Sequence, residues 1–235
     1  MSDSIEYKVF VKIKKAKRGT LFFSDNFSAF GNAETIRRTL NRLVEAGEID
    51  RVALGIFVRP QIDKIIGRIT PKIEDIADAI ARRDKAKIVP TGAYALNRLG
   101  LSTQVPMKIV YLTDGSARNI KIGNYTISFI RTSPKNVAAI GKISRLVIQA
   151  LKSIGKENVS QKELIQIQHI LMKERVSYLE HDLRIAPAWI KEIIRYWINF
   201  YLLLILFLLK SSLIRLQTDF LLVSNIPNLR CEHVQ

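Results

Sequence analysis

Three arginines and one asparagine lie within six consecutive positions of the chain. The planar guanidinium group of arginine can donate two hydrogen bonds to guanine, and the amide of asparagine can form a matching pair of bonds with adenine. Guanidinium groups also bind phosphate oxygens. The cluster therefore has the chemistry of a nucleic-acid contact, although such a run can also be a solvated helix face. Its members are Arg37, Arg38, Asn41 and Arg42.

The residues around this cluster predict a helix with one apolar side. Asn32 can cap its first turn, and Gly47 can end it in a left-handed conformation. Two short strands, 49–53 and 55–59, are predicted to follow with a turn between them. Helical spacing of the apolar residues places the arginines away from the interior. The predicted buried residues are Ile36, Leu40, Leu43 and Val44.

Three shorter elements are predicted before this helix. Apolar spacing predicts a helix over residues 3–16, a strand at 20–23 and a short helix at 25–30. Helix, strand, helix, helix and hairpin is the order of a winged helix-turn-helix. In that motif the third helix enters the major groove of DNA, and the hairpin lies against the backbone or minor groove. Some winged helices bind protein instead, and the pattern leaves that alternative open.

We therefore expect residues 1–60 to form a winged helix-turn-helix domain that binds double-stranded DNA. The candidate contacts lie on the third helix, on the hairpin and on the turn after the first helix. They are Thr35, Arg37, Arg38, Asn41, Arg42, Arg51, Arg59, Lys17 and Arg18.

The chain is strongly basic, with 37 lysine and arginine residues against 21 aspartate and glutamate residues and a formal net charge of +16. This excess favours a polyanionic partner, which means nucleic acid or an acidic membrane surface. The single cysteine, Cys231, excludes a disulfide or a cysteine-rich zinc site within one chain. The first residues lack the apolar core of a signal peptide. We therefore expect a cytoplasmic protein.

Residues 61–194 predict an α+β domain with a small antiparallel sheet followed by helices. The clearest local signal is RNIKIGNYTISFIR, residues 118–131, in which Gly123-Asn124 suits a two-residue hairpin loop. In that register Ile122 faces Tyr125 and Ile120 faces Ile127 on an apolar side, while Lys121 faces Thr126 and Asn119 faces Ser128 on a polar side. Other predicted elements are strands at 87–89 and within 107–115, and helices at 71–83, 91–99, 135–152, 160–173, 175–183 and from Pro187.

The ungapped stretch VPTGAYALNRLGLSTQVPMKIVYLTDGSARNIKIGN, residues 89–124, carries a resemblance to a known family. Together with the winged-helix pattern, it resembles the AbiEi-type antitoxin family of type IV toxin–antitoxin systems over residues 5–194. The resemblance implies a bacterial phage-defence protein whose N-terminal domain represses its own operon by binding promoter repeats. It also implies a second domain that counters a nucleotidyltransferase-like toxin without a stable complex.

The resemblance also points to five polar residues as candidates for the antitoxin activity, for which helix capping, packing and loop hydrogen bonds are the alternative roles. Two positions depart from the family pattern. Leu54 stands where an arginine often precedes the Gly-Ile pair of the wing, and Asp50 stands where a basic residue is usual. Both changes predict weaker DNA binding or an altered sequence preference. The five candidates are Thr91, Tyr94, Asn97, Ser102 and Gln104.

The sequence contains no group of residues that predicts catalysis or metal binding, so we expect neither an enzyme nor a cofactor. The TDGS turn at Asp114 is similar to the start of a nucleotidyltransferase motif, but the paired carboxylates that would hold magnesium do not follow. His169, His181 and His233 each lack a second ligand at metal-binding spacing. A nucleic-acid-targeted nuclease or nucleotidyltransferase is the alternative function.

The tail, residues 195–235, differs in composition from the rest of the chain. Residues 196–209 are uncharged and mostly apolar, but a helix of this length spans only about 21 Å. The hydrocarbon core of a bilayer is about 30 Å thick. We therefore expect an atypical end and not a membrane span, with a membrane-associated regulator as the alternative.

Overall fold

Helices and short strands are both present along residues 4–196, the part of the chain that the computed structural model describes. This mixture of elements confirms the predicted α+β class. The α-helices are α1 (Ile5–Lys15), α2 (Ala33–Glu45), α3 (Ile73–Arg83), α4 (Gly92–Arg98), α5 (Ser144–Ile154), α6 (Gln161–Leu171) and α7 (Val176–Ile185). The strands are β1 (Leu21–Phe23), β2 (Asp50–Ala53), β3 (Ile56–Val58), β4 (Gln61–Asp63), β5 (Gly67–Ile69), β6 (Ile88–Pro90), β7 (Lys108–Thr113), β8 (Arg118–Ile122) and β9 (Tyr125–Arg131).

The residues up to Ile185 form one compact unit, and a second unit begins at Ala186. In the second unit, residues 188–196 are helical, in agreement with the helix predicted from Pro187. The predicted tail lies almost entirely outside the described residues. Within residues 4–196, no helix has both the length and the apolar character that crossing a bilayer requires. The predicted domain boundary at residue 60 stays a prediction.

The first core of the molecule, which we call the N-terminal core, lies between α1, α2 and a three-stranded antiparallel sheet. This sheet has the strand order β1-β3-β2. The short helix predicted at 25–30 is a 3₁₀ helix, Ser24–Phe30, whose start is held by a 2.7 Å hydrogen bond from the backbone N–H of Phe23 to Asn26 Oδ1. The buried members of the N-terminal core are Val9, Ile13, Phe22, Phe27, Ile36, Leu40, Leu43, Ile49 and Phe57.

A second hairpin, β4–β5, is absent from the sequence prediction. Each of its strands has only three residues, too few to show the alternation of apolar and polar side chains that signals a strand. Asp63 shapes the turn instead. Its carboxylate accepts hydrogen bonds from the backbone N–H groups of Ile65, at 2.8 Å, and Ile66, at 3.1 Å.

The largest sheet has four strands in the order β6-β7-β9-β8. The β8–β9 hairpin has the predicted register, with Ile122 opposite Tyr125 and Ile120 opposite Ile127. Gly123 takes a φ of +56°, which its tight loop favours. The prediction of an antiparallel sheet is only partly correct, because β7 runs parallel to β9. The chain leaves β7, forms β8 at the sheet edge and returns as β9 between the two.

A second set of buried residues, which we call the central core, lies between this sheet and α3. Ile76, Ala77 and Ile80 face it from α3, as the helical spacing predicts. Phe23 and Ile56 of the first sheet belong to the same cluster. The two halves of the unit up to Ile185 are therefore joined by apolar packing.

The helix predicted at 135–152 begins only at Ser144, where α5 starts. A 3₁₀ turn, Pro134–Val137, replaces its first part, and Ile140, which follows this turn, is 48% exposed. Carboxylates of distant residues explain the difference, because they bind backbone N–H groups in and just before the first turn of α5. Glu174, for example, accepts bonds from the backbone N–H of Ser144 at 3.1 Å and from that of the preceding residue at 2.6 Å.

Asp182 of α7 is the second of these carboxylates, and it has no exposed surface. It accepts hydrogen bonds from the backbone N–H groups of Ile140, at 2.8 Å, and Gly141, at 2.9 Å, and from the hydroxyl of Ser144, at 2.5 Å. Nδ1 of His181 lies 2.9 Å from the same carboxylate. Glycine is required at 141, because a Cβ atom there would lie 2.1 Å from the Ser144 hydroxyl oxygen.

We expect Asp182→Ala to lower the free energy of unfolding by about 3 kcal/mol or more, because it leaves several buried donors without an acceptor. Glu180→Ala is the matched control, since Glu180 is an exposed carboxylate on the same helix and its loss should change stability by less than about 0.5 kcal/mol. Urea unfolding of the two variants measures the difference. Equal stability would show that Asp182 does not hold the start of α5.

Candidate functional site

α2 is oriented by the N-terminal core and by its first-turn cap. Ile36, Leu40 and Leu43 are buried on one side, as predicted. Asn32 begins the helix as predicted, because its side-chain oxygen accepts a 2.8 Å hydrogen bond from the backbone N–H of Thr35. Thr35 itself is half-buried. The opposite side of the helix is thereby left to solvent.

Three arginines occupy that opposite side, and we call Arg37, Arg38 and Arg42 the cationic face. Their side chains are 64%, 69% and 67% exposed. The remainder of the chain up to Ile185 therefore leaves these guanidinium groups accessible to a partner. Their spacing places them along a little more than one turn of helix, within reach of one continuous surface.

All three arginines of the cationic face pair with carboxylates, and this pairing was not predicted from the sequence. Glu34 accepts bonds from Arg37 at 2.8 and 3.0 Å and from Arg38 at 2.8 Å. The hydrogen bonds from Arg37 and then from Arg38 lower the pKa of the Glu34 carboxyl to about 2. Arg42 bonds to Glu6 of α1 at 3.3 Å. Because exposed ion pairs are weak, a polyanion can displace these carboxylates.

Asn41 connects the same side of α2 to the hairpin. Its side-chain oxygen accepts a hydrogen bond from Arg51 of β2, and the Arg51 guanidinium lies over the ring of Phe57, 5.5 Å from its centroid. Two of the predicted contact residues are therefore in direct contact with each other. The amide nitrogen of Asn41 is free of this bond and can still donate.

The turn between α1 and β1 carries the other predicted basic contacts. Lys17 and Arg18 are exposed, and neither has an ion pair within the described part of the chain. Arg59 is half-buried and its guanidinium donates to the backbone carbonyl of Ala16 at the end of α1. Its backbone also bonds to Gly19, at 2.8 Å. Arg59 therefore has a structural role in closing the first sheet onto α1.

Arg68 is a basic residue beside the hairpin that the sequence prediction misses. It forms an ion pair with Asp50 and donates a 3.0 Å bond to the backbone carbonyl of Gly47. Arg68 therefore neutralises the negative charge of Asp50 beside the hairpin. An open groove of about 600 Å³ lies here, with Arg51, Arg68 and Lys72 among its lining residues. Arg68 lies in β5, so its place beside the β2–β3 hairpin could have been predicted only together with the β4–β5 hairpin.

The stretch around α4 contains the five candidates for the antitoxin activity, and most of their polar groups are used within the fold. The hydroxyl of Thr91 lies 3.4 Å from Oε1 of Gln149. Asn97 donates to the backbone carbonyl of Ser102 at 3.3 Å, and the Ser102 hydroxyl accepts from the backbone N–H of Gln104 at 3.2 Å. These contacts shape the loop after α4.

Tyr94 is the buried member of that group. Its ring packs edge-on against Tyr111, with centroids 6.0 Å apart. Burial raises the pKa of the Tyr94 hydroxyl far above its ordinary value, and a hydrogen bond with Glu74 raises it further. Arg98 completes the cluster with a 2.9 Å bond to the same carboxylate. Tyr94 is therefore a neutral group that joins α3, α4 and β7.

The residues considered for catalysis are also accounted for by local structure. The Asp114 carboxylate accepts a 2.7 Å bond from the backbone N–H of Lys87. Asp114 therefore fastens the start of β6 to the end of β7. Within residues 4–196, no three histidine, cysteine, aspartate or glutamate side chains are grouped as metal ligands would be.

Comparisons with known proteins give a family and no activity. A crystal structure of the RV2827C protein from Mycobacterium tuberculosis is similar over 81% of this chain and 80% of that chain, with 12% sequence identity and a TM-score of 0.41. That similarity is too low to carry an argument about function. No curated protein matches the chain. Residues 8–179 match the model of a protein family, and this is most of the chain. The chain therefore belongs to DUF6088, a family of unknown function.

Proposed function

We propose that the chain binds double-stranded DNA through α2 and the β2–β3 hairpin, and that it acts as the autorepressor and antitoxin of a type IV toxin–antitoxin system. The observation that carries the DNA-binding part is the exposed cationic face on a helix whose other side is buried. Guanidinium groups held in this way can meet both phosphate oxygens and the edges of guanine.

The arrangement of the first sixty residues supports a winged helix-turn-helix as the binding module. α1, β1, the 3₁₀ helix, α2, β2 and β3 follow one another in the order of that motif. In such a module the third helix lies in the major groove and its N-terminal residues contact the bases. We assign base contacts to Arg37 and Arg38, which lie in the first half of α2, and phosphate contacts to Arg42 and Arg51.

The antitoxin part of the proposal rests on the resemblance of residues 89–124 to the AbiEi-type family. In this stretch Tyr94 and the loop after α4 are held by internal contacts. Val105 and Met107 are more than half exposed at the end of the loop. We place the surface that acts against the toxin here, since Val105 and Met107 are the exposed large hydrophobic residues of the resembling stretch.

Replacing Arg37, Arg38 and Arg42 together with alanine should weaken binding to the chain's own promoter DNA about 100-fold or more at low salt, because base and phosphate contacts are lost together. If wild type neutralises about four phosphates, its plot of log K against log salt should have a slope of about −4, and the variant's slope should be about −1. Fluorescence anisotropy with a promoter fragment measures both values.

The matched control is a triple alanine variant of Lys162, Lys173 and Arg184, which are exposed cations on or next to α6 and α7. It loses the same charge and should retain the affinity and slope of wild type within about threefold. An equal loss of affinity in both variants would mean that net charge alone attracts DNA. The assignment of α2 as the DNA-binding helix would then be wrong.

Glu34→Gln should bind the same DNA about fivefold more tightly at low salt, the effect of one unit charge at about 4 Å in water. The change frees Arg37 and Arg38 and removes a carboxylate that would face phosphates. Glu45→Gln is the control, because Glu45 is an exposed carboxylate in the last turn of α2. Weaker binding by Glu34→Gln would show that the ion pairs preorganise the arginines instead of competing with DNA.

A growth assay tests the antitoxin part separately. We expect a neighbouring gene to encode a nucleotidyltransferase-like toxin whose expression arrests growth, and we expect the full chain to restore growth. The triple alanine variant of the cationic face should restore growth equally well from an independent promoter, because the two activities use different surfaces. Failure of both proteins to restore growth would remove the antitoxin assignment and leave DNA binding unaffected.

A further inference from the structure

A small cavity that is open to solvent lies in the unit up to Ile185, apart from the cationic face, and its lining residues Asp78, Arg82 and Lys87 are exposed. It has a volume of about 220 Å³ and lies between α3, the start of β6 and the start of α5. Its walls combine charged side chains with small and apolar ones. The residues that matter for its chemistry are Asp78, Arg82, Lys87, Ile88, Val137 and Arg145.

The three cations of this cavity differ from those of α2 in having no partner. Arg37, Arg38 and Arg42 are all paired with carboxylates. The side chains of Arg82, Lys87 and Arg145 form no ion pair or hydrogen bond anywhere in residues 4–196. One carboxylate, Asp78, lies among the lining residues, so their charges sum to a positive excess.

Arg145 provides an independent sign that a ligand is missing. Its Nε atom is buried and has no hydrogen-bond partner among the described residues. Buried donors in folded proteins nearly always have an acceptor, and an exception is commonly explained by a bound ion or water. An anion bound in the adjacent cavity would accept hydrogen bonds from the Arg145 guanidinium and would fix the position of that side chain.

We propose that this cavity, which we call the anion pocket, binds a phosphate group. Two guanidinium groups and one ammonium group supply donors that match the several acceptor oxygens of a phosphate. The volume lies below the 300–1,000 Å³ typical of pockets for drug-sized ligands, so it suits a phosphate with a small part of its carrier. Ile88 and Val137 offer that carrier an apolar wall.

The anion pocket is separate from the DNA-binding surface proposed on α2. The residues of the anion pocket come from α3, β6, α5 and the segment before α5, and none belongs to the predicted DNA contacts. Free phosphate and a phosphorylated metabolite such as a nucleoside monophosphate share the chemistry that the pocket recognises. The experiment must therefore separate these two sources.

Isothermal titration calorimetry of the full chain with inorganic phosphate, AMP and adenosine, at constant ionic strength set with sodium chloride, tests the proposal. We expect saturable binding of phosphate or AMP and none of adenosine. Tighter binding of AMP than of phosphate would identify a phosphorylated metabolite as the ligand, and equal binding would identify the phosphate group alone. An absence of saturable binding for both phosphate and AMP would overturn the pocket.

Arg145→Gln and Lys87→Gln should each weaken this binding about tenfold, because each removes a charged donor. Arg131→Gln is the matched control, since Arg131 is an exposed arginine of β9 outside the pocket, and its affinity should equal that of wild type. If Arg145→Gln fails to fold by circular dichroism, Lys87→Gln decides, because its backbone bond to Asp114 is unchanged. Wild-type affinity in Lys87→Gln would overturn the proposal.

Discussion

Burial of one side of α2 is the constraint on which the candidate DNA surface depends. Ile36, Leu40 and Leu43 pack into the N-terminal core, and the helical repeat then turns residues 37, 38 and 42 outward. Truncating a buried leucine such as Leu40 to alanine would cost about 2–5 kcal/mol. Exposed ion pairs are far weaker. The direction of the guanidinium groups is therefore set by apolar packing beneath them and not by their own contacts.

The carboxylates beside these arginines have a different effect from that packing. Glu34 and Glu6 restrict where the guanidinium groups rest, but they also place negative charge next to any approaching phosphate. The net charge of +16 would act against this local opposition by attracting a polyanion over a longer range. Local pairing and overall charge thus act in opposite directions on the same surface, and affinity depends on both.

Local patterns in the sequence predict much of this structure, and contacts between distant residues account for what they miss. The helical spacing of apolar residues predicts α2, and the Gly123-Asn124 loop predicts the β8–β9 hairpin together with its register. The parallel pairing of β7 with β9 has no local signal. Asp182 likewise delays the start of α5 from about forty positions along the chain. At the candidate site, exposure of the arginines is predictable, whereas the pairing of Arg42 with Glu6 and the position of Arg68 beside Asp50 are not.

The chain thus has basic groups in two physical settings, and the settings select different ligands. On α2 the cations lie on a convex, solvent-exposed surface, where salt at about 0.15 M screens charges over roughly 8 Å. Binding there needs many contacts at once, which an extended polyanion provides. In the anion pocket, three unpaired cations line a small concave space, so one phosphate group can meet several donors at once. A compact phosphate can therefore bind in the pocket without competing for the surface that an extended polyanion would use.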